Sequence, residues 1–250
     1  MFIELPIAIT AFLVGALVGI TGVGGGAVMT PILILFFGIP PVVAIATDLV
    51  FATITKLVAS VIHSKAGSID WSVAKRIWMG SIPGTLIGIA LLVYLANEFV
   101  FVVNVLLALL LLITAVSMLV SIGVSKTTNN RLPVIGGGFI GFAVATTSVG
   151  AGAMGMALLR SLIGDKDPKK LVGTDIVHAI PIALLAGVSY FFAGFFDFGL
   201  LISLMVGSLP GVVIGSLLVS KINAAALRKV LAIVLLVAAA GIGFNSFGLI

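Results

Sequence analysis

Long apolar stretches alternate with short polar connections along the whole chain. They cover residues 6–38, 42–62, 77–96 and 99–122, and then 132–163, 171–196, 198–219 and 224–247. A helix needs about 18 to 20 consecutive apolar residues to cross the hydrocarbon core of a bilayer, and every stretch reaches that length. The pattern therefore predicts an all-α integral membrane protein.

Composition strengthens this prediction and excludes other classes. Hydrophobic residues make up 61% of the chain and charged residues 8%, against roughly 25% charged residues in soluble domains. The basic residues behind the net charge of +5 lie in short loops, which is typical of membrane topology rather than of nucleic-acid binding. Because the sequence contains no cysteine, disulfides, thiolate catalysis and cysteine metal sites are excluded.

Two motifs occur twice, once in each half of the chain. The segment Gly80-Ser-Ile-Pro-Gly-Thr-Leu-Ile-Gly88 returns 127 positions later as Gly207-Ser-Leu-Pro-Gly-Val-Val-Ile-Gly215, and Thr47-Asp48 returns as Thr174-Asp175. We therefore divide the chain into a first transmembrane repeat (1–122), a cytoplasmic linker (123–131) and a second transmembrane repeat (132–250). Two apolar halves related in this way are typical of secondary transporters.

The first stretch of each half is too long for one comfortable span and is interrupted by glycines. If all eight stretches crossed the membrane once, the basic loop residues would be divided between both sides, contrary to the positive-inside rule. If each long stretch is a re-entrant hairpin, these residues fall on one side, and Glu4, Glu98 and Asp197 fall on the other. We therefore expect two inverted-topology repeats, each a glycine-broken re-entrant hairpin plus three transmembrane helices, with both termini outside.

The glycine clusters are the candidate substrate site. Thr21-Gly-Val-Gly-Gly-Gly26 and Thr147-Ser-Val-Gly-Ala-Gly152 can each end one half-helix and begin another, whose free N–H groups and positive dipole end attract an anion. Inverted symmetry would bring both clusters together near the membrane midplane. Close helix packing is the alternative role of such glycines. The candidate binding residues are Thr21, Gly22, Gly24, Gly25, Gly26, Thr147, Ser148, Gly150 and Gly152.

The doubled pattern resembles a known family over essentially the whole chain. Gly15-x-x-x-Gly19-x-Thr-Gly-Val-Gly-Gly-Gly is followed by Gly67-x-x-x-Trp71 and then by Gly80-x-x-Pro83-Gly84-x-x-x-Gly88, as in the TauE/SafE family of sulfite exporters. The resemblance implies export of small sulfur oxyanions or sulfonates, such as sulfite or sulfoacetate, from bacteria that degrade taurine and related compounds. It also implies location in the bacterial cytoplasmic (inner) membrane.

Four ionisable residues lie inside or at the ends of apolar stretches: Asp48, Lys56, Asp175 and His178. Such residues are costly in a membrane and usually face a cavity or a partner. Asp175 and His178 share a helix face and can touch, so we assign a coupling role to Asp48, Asp175 and His178, and an anion-binding role to Lys56. Alternatively, each aspartate caps a helix start and Lys56 snorkels to the interface.

These observations predict a secondary transporter, not an enzyme, that exports sulfite or small organosulfonates using the proton gradient or the membrane potential. No cofactor or metal ion is expected; the partners are the anion and the lipid bilayer, and the glycine-rich span faces would suit a homodimer. A passive anion channel or uniporter is the main alternative. An intramembrane aspartyl hydrolase using Asp48 and Asp175 is disfavoured, because the Gly-x-Gly-Asp signature of such enzymes is absent from the sequence.

Overall fold

The computed structural model describes residues 3–21, 26–65, 67–96, 99–119, 131–164, 168–218 and 224–246. Within these ranges the chain forms ten α-helices and no strand. They are α1 (Leu5–Thr21), α2 (Gly26–Phe37), α3 (Pro41–Lys65), α4 (Trp71–Ala96), α5 (Val100–Leu119), α6 (Leu132–Thr147), α7 (Ala153–Ile163), α8 (Pro168–Phe192), α9 (Phe198–Leu218) and α10 (Ala224–Ser246).

The prediction of an all-α membrane protein is confirmed. Six of the described helices, α3, α4, α5, α8, α9 and α10, are long and apolar enough to cross a membrane. The other four, α1, α2, α6 and α7, are shorter apolar helices. They occupy the two stretches that the sequence predicts to be interrupted, so each long stretch contains two helices rather than one.

Helix α4 begins six residues before the apolar stretch 77–96, because a polar side chain caps it. The Oδ1 atom of Asp70 accepts a hydrogen bond of 3.1 Å from the N–H group of Val73. A side-chain cap of this kind stabilises a helix start by about 0.5–2 kcal/mol. Asp197 caps α9 in the same way through the N–H group of Leu200, at 2.9 Å. Asp70 and Asp197 are 127 positions apart, so the repeat includes these two capping residues.

The repeated glycine motif on α4 lies against α6. Gly80 faces the backbone carbonyl group of Val134, and Gly84 faces that of Gly138. A Cβ atom at either glycine would overlap the facing carbonyl oxygen, so this backbone-to-backbone approach requires glycine. Residue numbers increase together along the two helices, and α4 and α6 therefore run parallel.

The second copy of the motif, on α9, makes the equivalent contacts with α1. Gly207 faces the carbonyl group of Ala8, and Gly211 faces that of Phe12. Near the starts of the two helices, the backbone N–H group of Glu4 donates to Ser203 Oγ at 3.0 Å. Helices α1 and α9 are therefore also parallel, and each copy of the motif joins one half of the chain to the other.

Helices α3 and α8 pair at the centre of the fold and run in opposite directions. Gly187 of α8 packs against Val50 of α3, whereas the N–H group of Asp70, just beyond α3, donates to Thr174 Oγ1 near the start of α8 at 2.9 Å. Helix α5 pairs with α10. Helices α1 to α5 of the first half correspond in order to α6 to α10 of the second. If each helix is replaced by its counterpart, the α1–α9 pair becomes the α6–α4 pair, and the α3–α8 and α5–α10 pairs are unchanged.

The outer surface of the described helices is apolar, as a lipid-facing surface must be. Large hydrophobic side chains such as Phe36, Ile135 and Phe192 are 69–81% exposed. Hydroxyl groups within the helices bond to their own backbone: Thr114 and Ser189 donate to the carbonyl group four residues earlier. These bonds satisfy the hydroxyl groups where water is absent.

Replacing Gly84 by alanine should destabilise the protein, because the new methyl group overlaps the Gly138 carbonyl group across the α4–α6 contact. Overpacking of this kind costs about 1–3 kcal/mol. Gly243→Ala is the matched control: a Cβ atom there meets no atom within 4 Å, and alanine has the higher helix propensity. Thermal unfolding in detergent should show a lower midpoint for Gly84→Ala only. An equal loss in both variants would contradict the close-contact explanation.

Candidate functional site

The break between α6 and α7 is a tight turn buried inside the protein. Helix α6 ends at Thr147, and the next residue, Ser148, has a left-handed φ of 60°. Gly150 has a φ of 119°, a conformation that glycine adopts without steric strain. Residues 143–151 are all buried, so the backbone leaves helical geometry within the core of the fold rather than at its surface.

The turn satisfies several of its own polar groups. The Thr147 hydroxyl oxygen accepts the N–H group of Val149 at 3.0 Å. At the start of α7, the N–H groups of Met154 and Gly155 donate to the carbonyl group of Gly150 at 3.0 and 3.2 Å. The glycine pattern predicts that N–H groups at this helix start face an anion, but these two are bonded within the turn in this structure.

Ser148 connects the turn to the first half of the chain. Its hydroxyl group donates to Asp48 Oδ2 on α3 at 2.6 Å. The same oxygen accepts the hydroxyl group of Thr30 on α2 at 2.8 Å. Asp48 is 0% exposed, and its Oδ1 atom has no hydrogen-bond partner among the described residues. One carboxylate oxygen thus holds together α2, α3 and the turn of the opposite half.

The corresponding site of the first half lies partly outside the described residues. Thr21 is the last residue of α1 and Gly26 the first of α2, so a helix begins at Gly26, as α7 begins just after Gly152. Gly22, Gly24 and Gly25 are not described, nor is the side chain of Thr21. Their predicted role in binding stays a prediction.

Asp175 lies on α8, 7% exposed, against α7. A Cβ atom at Gly155 would meet its Oδ1 atom, which has no hydrogen-bond partner in the described part of the chain. Lys56, partly buried on α3, interacts electrostatically with Asp175 and with Asp48. The structure therefore brings Lys56 near both aspartates, although it forms a salt bridge with neither within the described ranges.

His178 bonds to α4 rather than to Asp175. Its Nε2 atom lies 3.1 Å from the hydroxyl oxygen of Ser81, and its backbone carbonyl group accepts the Trp78 indole N–H at 3.0 Å. The Nδ1 atom is buried with no partner among the described atoms. Asp175 and His178 share a helix, as predicted, but no hydrogen bond joins these two described residues.

The alternative that Asp48 and Asp175 cap helix starts is wrong. Helix α3 begins at Pro41 and α8 at Pro168, so each aspartate is the eighth residue of its helix. Neither helix has an acidic residue in its first turn. The Asp48 carboxylate bonds to hydroxyl groups of other elements instead of to backbone N–H groups.

Sequence reasoning missed two residues of this cluster, Thr30 and Ser81. Thr30 is the one hydroxyl-bearing residue of α2, whose sequence is GAVMTPILILFF, and this isolation could have identified it. Ser81 lies within the repeated glycine motif Gly80–Gly88, to which the sequence pattern assigned no site residue. Its counterpart Ser208 has no hydrogen-bond partner among the described residues, so repetition of the serine did not indicate its contact with His178.

The family profile described as "Sulfite exporter TauE/SafE" matches residues 7–242. The chain belongs to the TauE/SafE family. Membership makes it a membrane transporter, in agreement with the six apolar helices long enough to cross a membrane among the described residues.

Relatives of this TauE/SafE protein include three chains of Bacillus subtilis (strain 168). The "Probable membrane transporter protein YjnA" is 34% identical over an alignment of 250 positions, which covers 94% of this chain and 97% of the relative. The "Probable membrane transporter protein YdhB" is 25% identical, over 84% of this chain and 88% of the relative. The similarly named YunE is 37% identical over 81 residues, 32% of this chain and 30% of the relative. No solved structure matches the chain.

The Ser81–His178 contact can be tested with a pair of repeat-related variants. Ser81→Ala leaves the buried Nε2 atom of His178 without its partner, and an unsatisfied buried group costs about 1–3 kcal/mol. Ser208→Ala removes a hydroxyl group that has no partner in the described structure and should be nearly neutral. Unfolding midpoints in detergent should fall for Ser81→Ala alone; a larger loss in Ser208→Ala would contradict the assignment.

Proposed function

We propose that this TauE/SafE protein exports small sulfur-containing anions, sulfite or small organosulfonates, across the cytoplasmic membrane of a bacterium. The proposal rests on family membership and on one structural observation. A buried helix break, at Ser148, bonds directly to a buried carboxylate, Asp48, of the other half. Ionisable groups are costly within a membrane and usually accompany a substrate or ion path.

The proposed architecture consists of two inverted repeats, 1–122 and 132–250, joined by a linker at 123–131. The antiparallel packing of α3 on α8 supports inversion, because these helices occupy equivalent places in the two halves. Repeats related by an axis along the membrane normal would place equivalent helices parallel to each other. An axis within the membrane plane makes them antiparallel.

Helix directions also support re-entrant hairpins. Helix α9 follows α8 after the short connection 193–197, so α8 and α9 run in opposite directions. Helix α1 runs parallel to α9 and therefore opposite to α8. Since α3 is antiparallel to α8, α1 and α3 run in the same direction. Helix α2, which joins them, must then return toward the side from which α1 entered. A single kinked span would not return.

We place the anion at the two glycine-rich tips, near the membrane midplane. Thr21, Gly22, Gly24, Gly25 and Gly26 would form one side, and Thr147, Ser148, Gly150 and Gly152 the other, with Lys56 supplying positive charge. The Ser148 hydroxyl group and the N–H groups of Met154 and Gly155 already have partners. An anion at this site would therefore replace these internal partners, which links its binding to a change in the turn.

Coupling to the proton gradient would use the ionisable groups around the tips. Asp48, Asp175 and His178 are buried at 0%, 7% and 1% exposure, and Lys56 interacts electrostatically with all three. A change of charge on Asp48, Asp175 or His178 is therefore felt at Lys56, since electrostatic interactions are strong in a low-dielectric interior. This arrangement favours a coupled transporter over a passive channel.

Proteoliposomes containing the protein should carry sulfite, at a rate that follows an imposed pH gradient or membrane potential. Competition by sulfate, thiosulfate and short sulfonates would define the anion class. The control is a protein-free liposome under the same gradients. Flux that ignores the pH gradient would favour a channel or uniporter, and the lack of any sulfur-oxyanion flux would overturn the proposed substrate.

Inverted topology can be tested by cysteine labelling, because the natural chain contains no cysteine. Ser64→Cys and Ala193→Cys place single thiols at exposed positions beside the repeat-related turns that follow α3 and α8. Inversion puts these turns on opposite sides, so a membrane-impermeant maleimide added to intact cells should label Ala193→Cys and leave Ser64→Cys unlabelled until the cells are opened. Labelling of both thiols from the same side would contradict inversion.

A further inference from the structure

The two repeat-related aspartates have different surroundings. Asp48 and Asp175 are each preceded by threonine, lie 127 positions apart in the sequence, and are each the eighth residue of their helix. Exact symmetry would give them the same partners. Any difference between their partners therefore shows where the two halves have diverged in chemistry.

Asp48 is fixed from two sides. Its Oδ2 atom accepts hydroxyl groups from Thr30 and from Ser148, which lie 18 and 100 positions away in the chain. The Ser148 bond, at 2.6 Å, has the length of a charge-assisted hydrogen bond. Because both bonds end on one atom, the carboxylate cannot rotate without breaking both, and the turn at Ser148 is held in place.

Asp175 lacks the equivalents of both hydroxyl groups. The position that corresponds to Ser148 is Gly22, which has no side chain, as the alignment of Thr21-Gly22 with Thr147-Ser148 shows. The part of α7 that corresponds to Thr30 is Gly155-Met156-Ala157, none of which carries a hydroxyl group. Accordingly, Asp175 Oδ1 lies against Gly155 with no hydrogen bond within the described residues.

The charged and titratable groups are also unequally distributed. His178 lies one turn beyond Asp175, whereas the residue one turn beyond Asp48 is Phe51. Lys56 is the charged group that interacts with Asp175. The other ionisable residues on the described helices packed against α8 are Asp48, His63 and Lys65 on α3, Lys75, Arg76 and Tyr94 on α4, and Arg160 on α7.

We propose that the coupling role considered above for both aspartates belongs to Asp175 alone. Asp48 is a positioning residue that fixes the second helix break against α2 and α3, and Asp175 is the carboxyl group that gains and loses a proton during transport. The first assignment rests on geometry alone, whereas the second rests on the proposed transport function. Within the described residues, Asp175 makes no hydrogen bond that a change in its charge would release. A change of charge at Asp48 would weaken its hydrogen bonds with Thr30 and Ser148 together.

The positioning role of Asp48 is tested by stability, without any substrate. Asp48→Ala deprives two buried hydroxyl groups of their acceptor and should lower the unfolding midpoint by several degrees. Asp48→Asn should recover most of that loss, since an amide oxygen accepts the same two bonds. Asp175→Ala and Asp175→Asn are the matched controls and should differ little from each other. Equal losses in Asp48→Ala and Asp175→Ala, or no recovery in Asp48→Asn, would overturn this role.

Milder variants keep this test decisive if Asp48→Ala does not fold. Ser148→Ala and Thr30→Val each remove one of the two bonds and should each lower the midpoint. In the background of Asp48→Leu, which has no acceptor, the same changes should have no further destabilising effect. If Ser148→Ala costs as much with Asp48→Leu as with the natural aspartate, the bond does not position the turn.

The role of Asp175 is tested by the pH dependence of flux and by infrared spectroscopy. Asp175→Asn should flatten the pH profile of sulfite flux, whereas Asp48→Asn should keep the shape of the natural profile, whatever its rate. The infrared carbonyl band of protonated carboxyl groups, followed against pH in the absence of anion, is the sum over the eight acidic side chains of the chain. One pH-dependent component of this band should be missing in Asp175→Asn and present in Asp48→Asn. The reverse pattern would overturn the assignment.

The outcomes separate this inference from the proposed function. If the natural protein carries no sulfur anion, the proposed substrate is wrong, but the stability series and the infrared band still decide the roles of the two aspartates. If sulfite flux is present and both asparagine variants flatten its pH profile alike, the transport function stands and the division between Asp48 and Asp175 is wrong.

Discussion

A backbone that leaves helical geometry inside a membrane has no water to bond to, so its freed polar groups need partners within the protein. The buried turn between α6 and α7 meets this requirement in two ways. Its own groups bond to each other around Gly150, and the buried hydroxyl group of Ser148 donates to Asp48. The rest of the fold is arranged so that Asp48 lies where this bond can form.

The helix pairs provide that arrangement. Glycine contacts bring the backbones of α4 and α6 together. These contacts fix where α6 ends relative to α4. The Tyr190 hydroxyl group of α8 then donates to the Ala145 carbonyl group at 2.8 Å, near the end of α6 where carbonyl groups lose their intrahelical partners. The turn is therefore held by α4 and α8 from one side and by α3, through Asp48, from the other.

Much of the fold could be predicted from the sequence, because hydrophobic length and glycine repetition act locally. The six long helices and the interruption of both long stretches follow from apolar run lengths and glycine clusters. The hydrogen bond of Thr30 to Asp48 could not be predicted, because no sequence pattern specifies which face of α2 meets α3. The contact of His178 with Ser81 instead of Asp175 likewise depends on how α4 packs against α8.

The repeat was informative about the backbone but not about the partners of its side chains. It correctly paired Asp48 with Asp175 as residues at equivalent positions in their helices, but it did not indicate that their partners differ. Symmetry relates backbones, whereas the chemistry of a site depends on side chains such as Ser148 and Gly22, which the two halves do not share. The differences between the repeats were therefore more informative about function than their similarities.

The pairing of α1 with α9 has a consequence for biosynthesis. The Glu4–Ser203 bond spans 199 positions of the chain, whereas the equivalent α4–α6 pair includes a bond, from Thr85 to Gly141, that spans only 56. Helix α6 finds its partner already synthesised when it leaves the ribosome, but α1 must wait until nearly the whole chain has been made. During that interval its backbone-contact face has no helix to meet. Contacts of such long sequence separation form slowly, so α1 packs into the fold late.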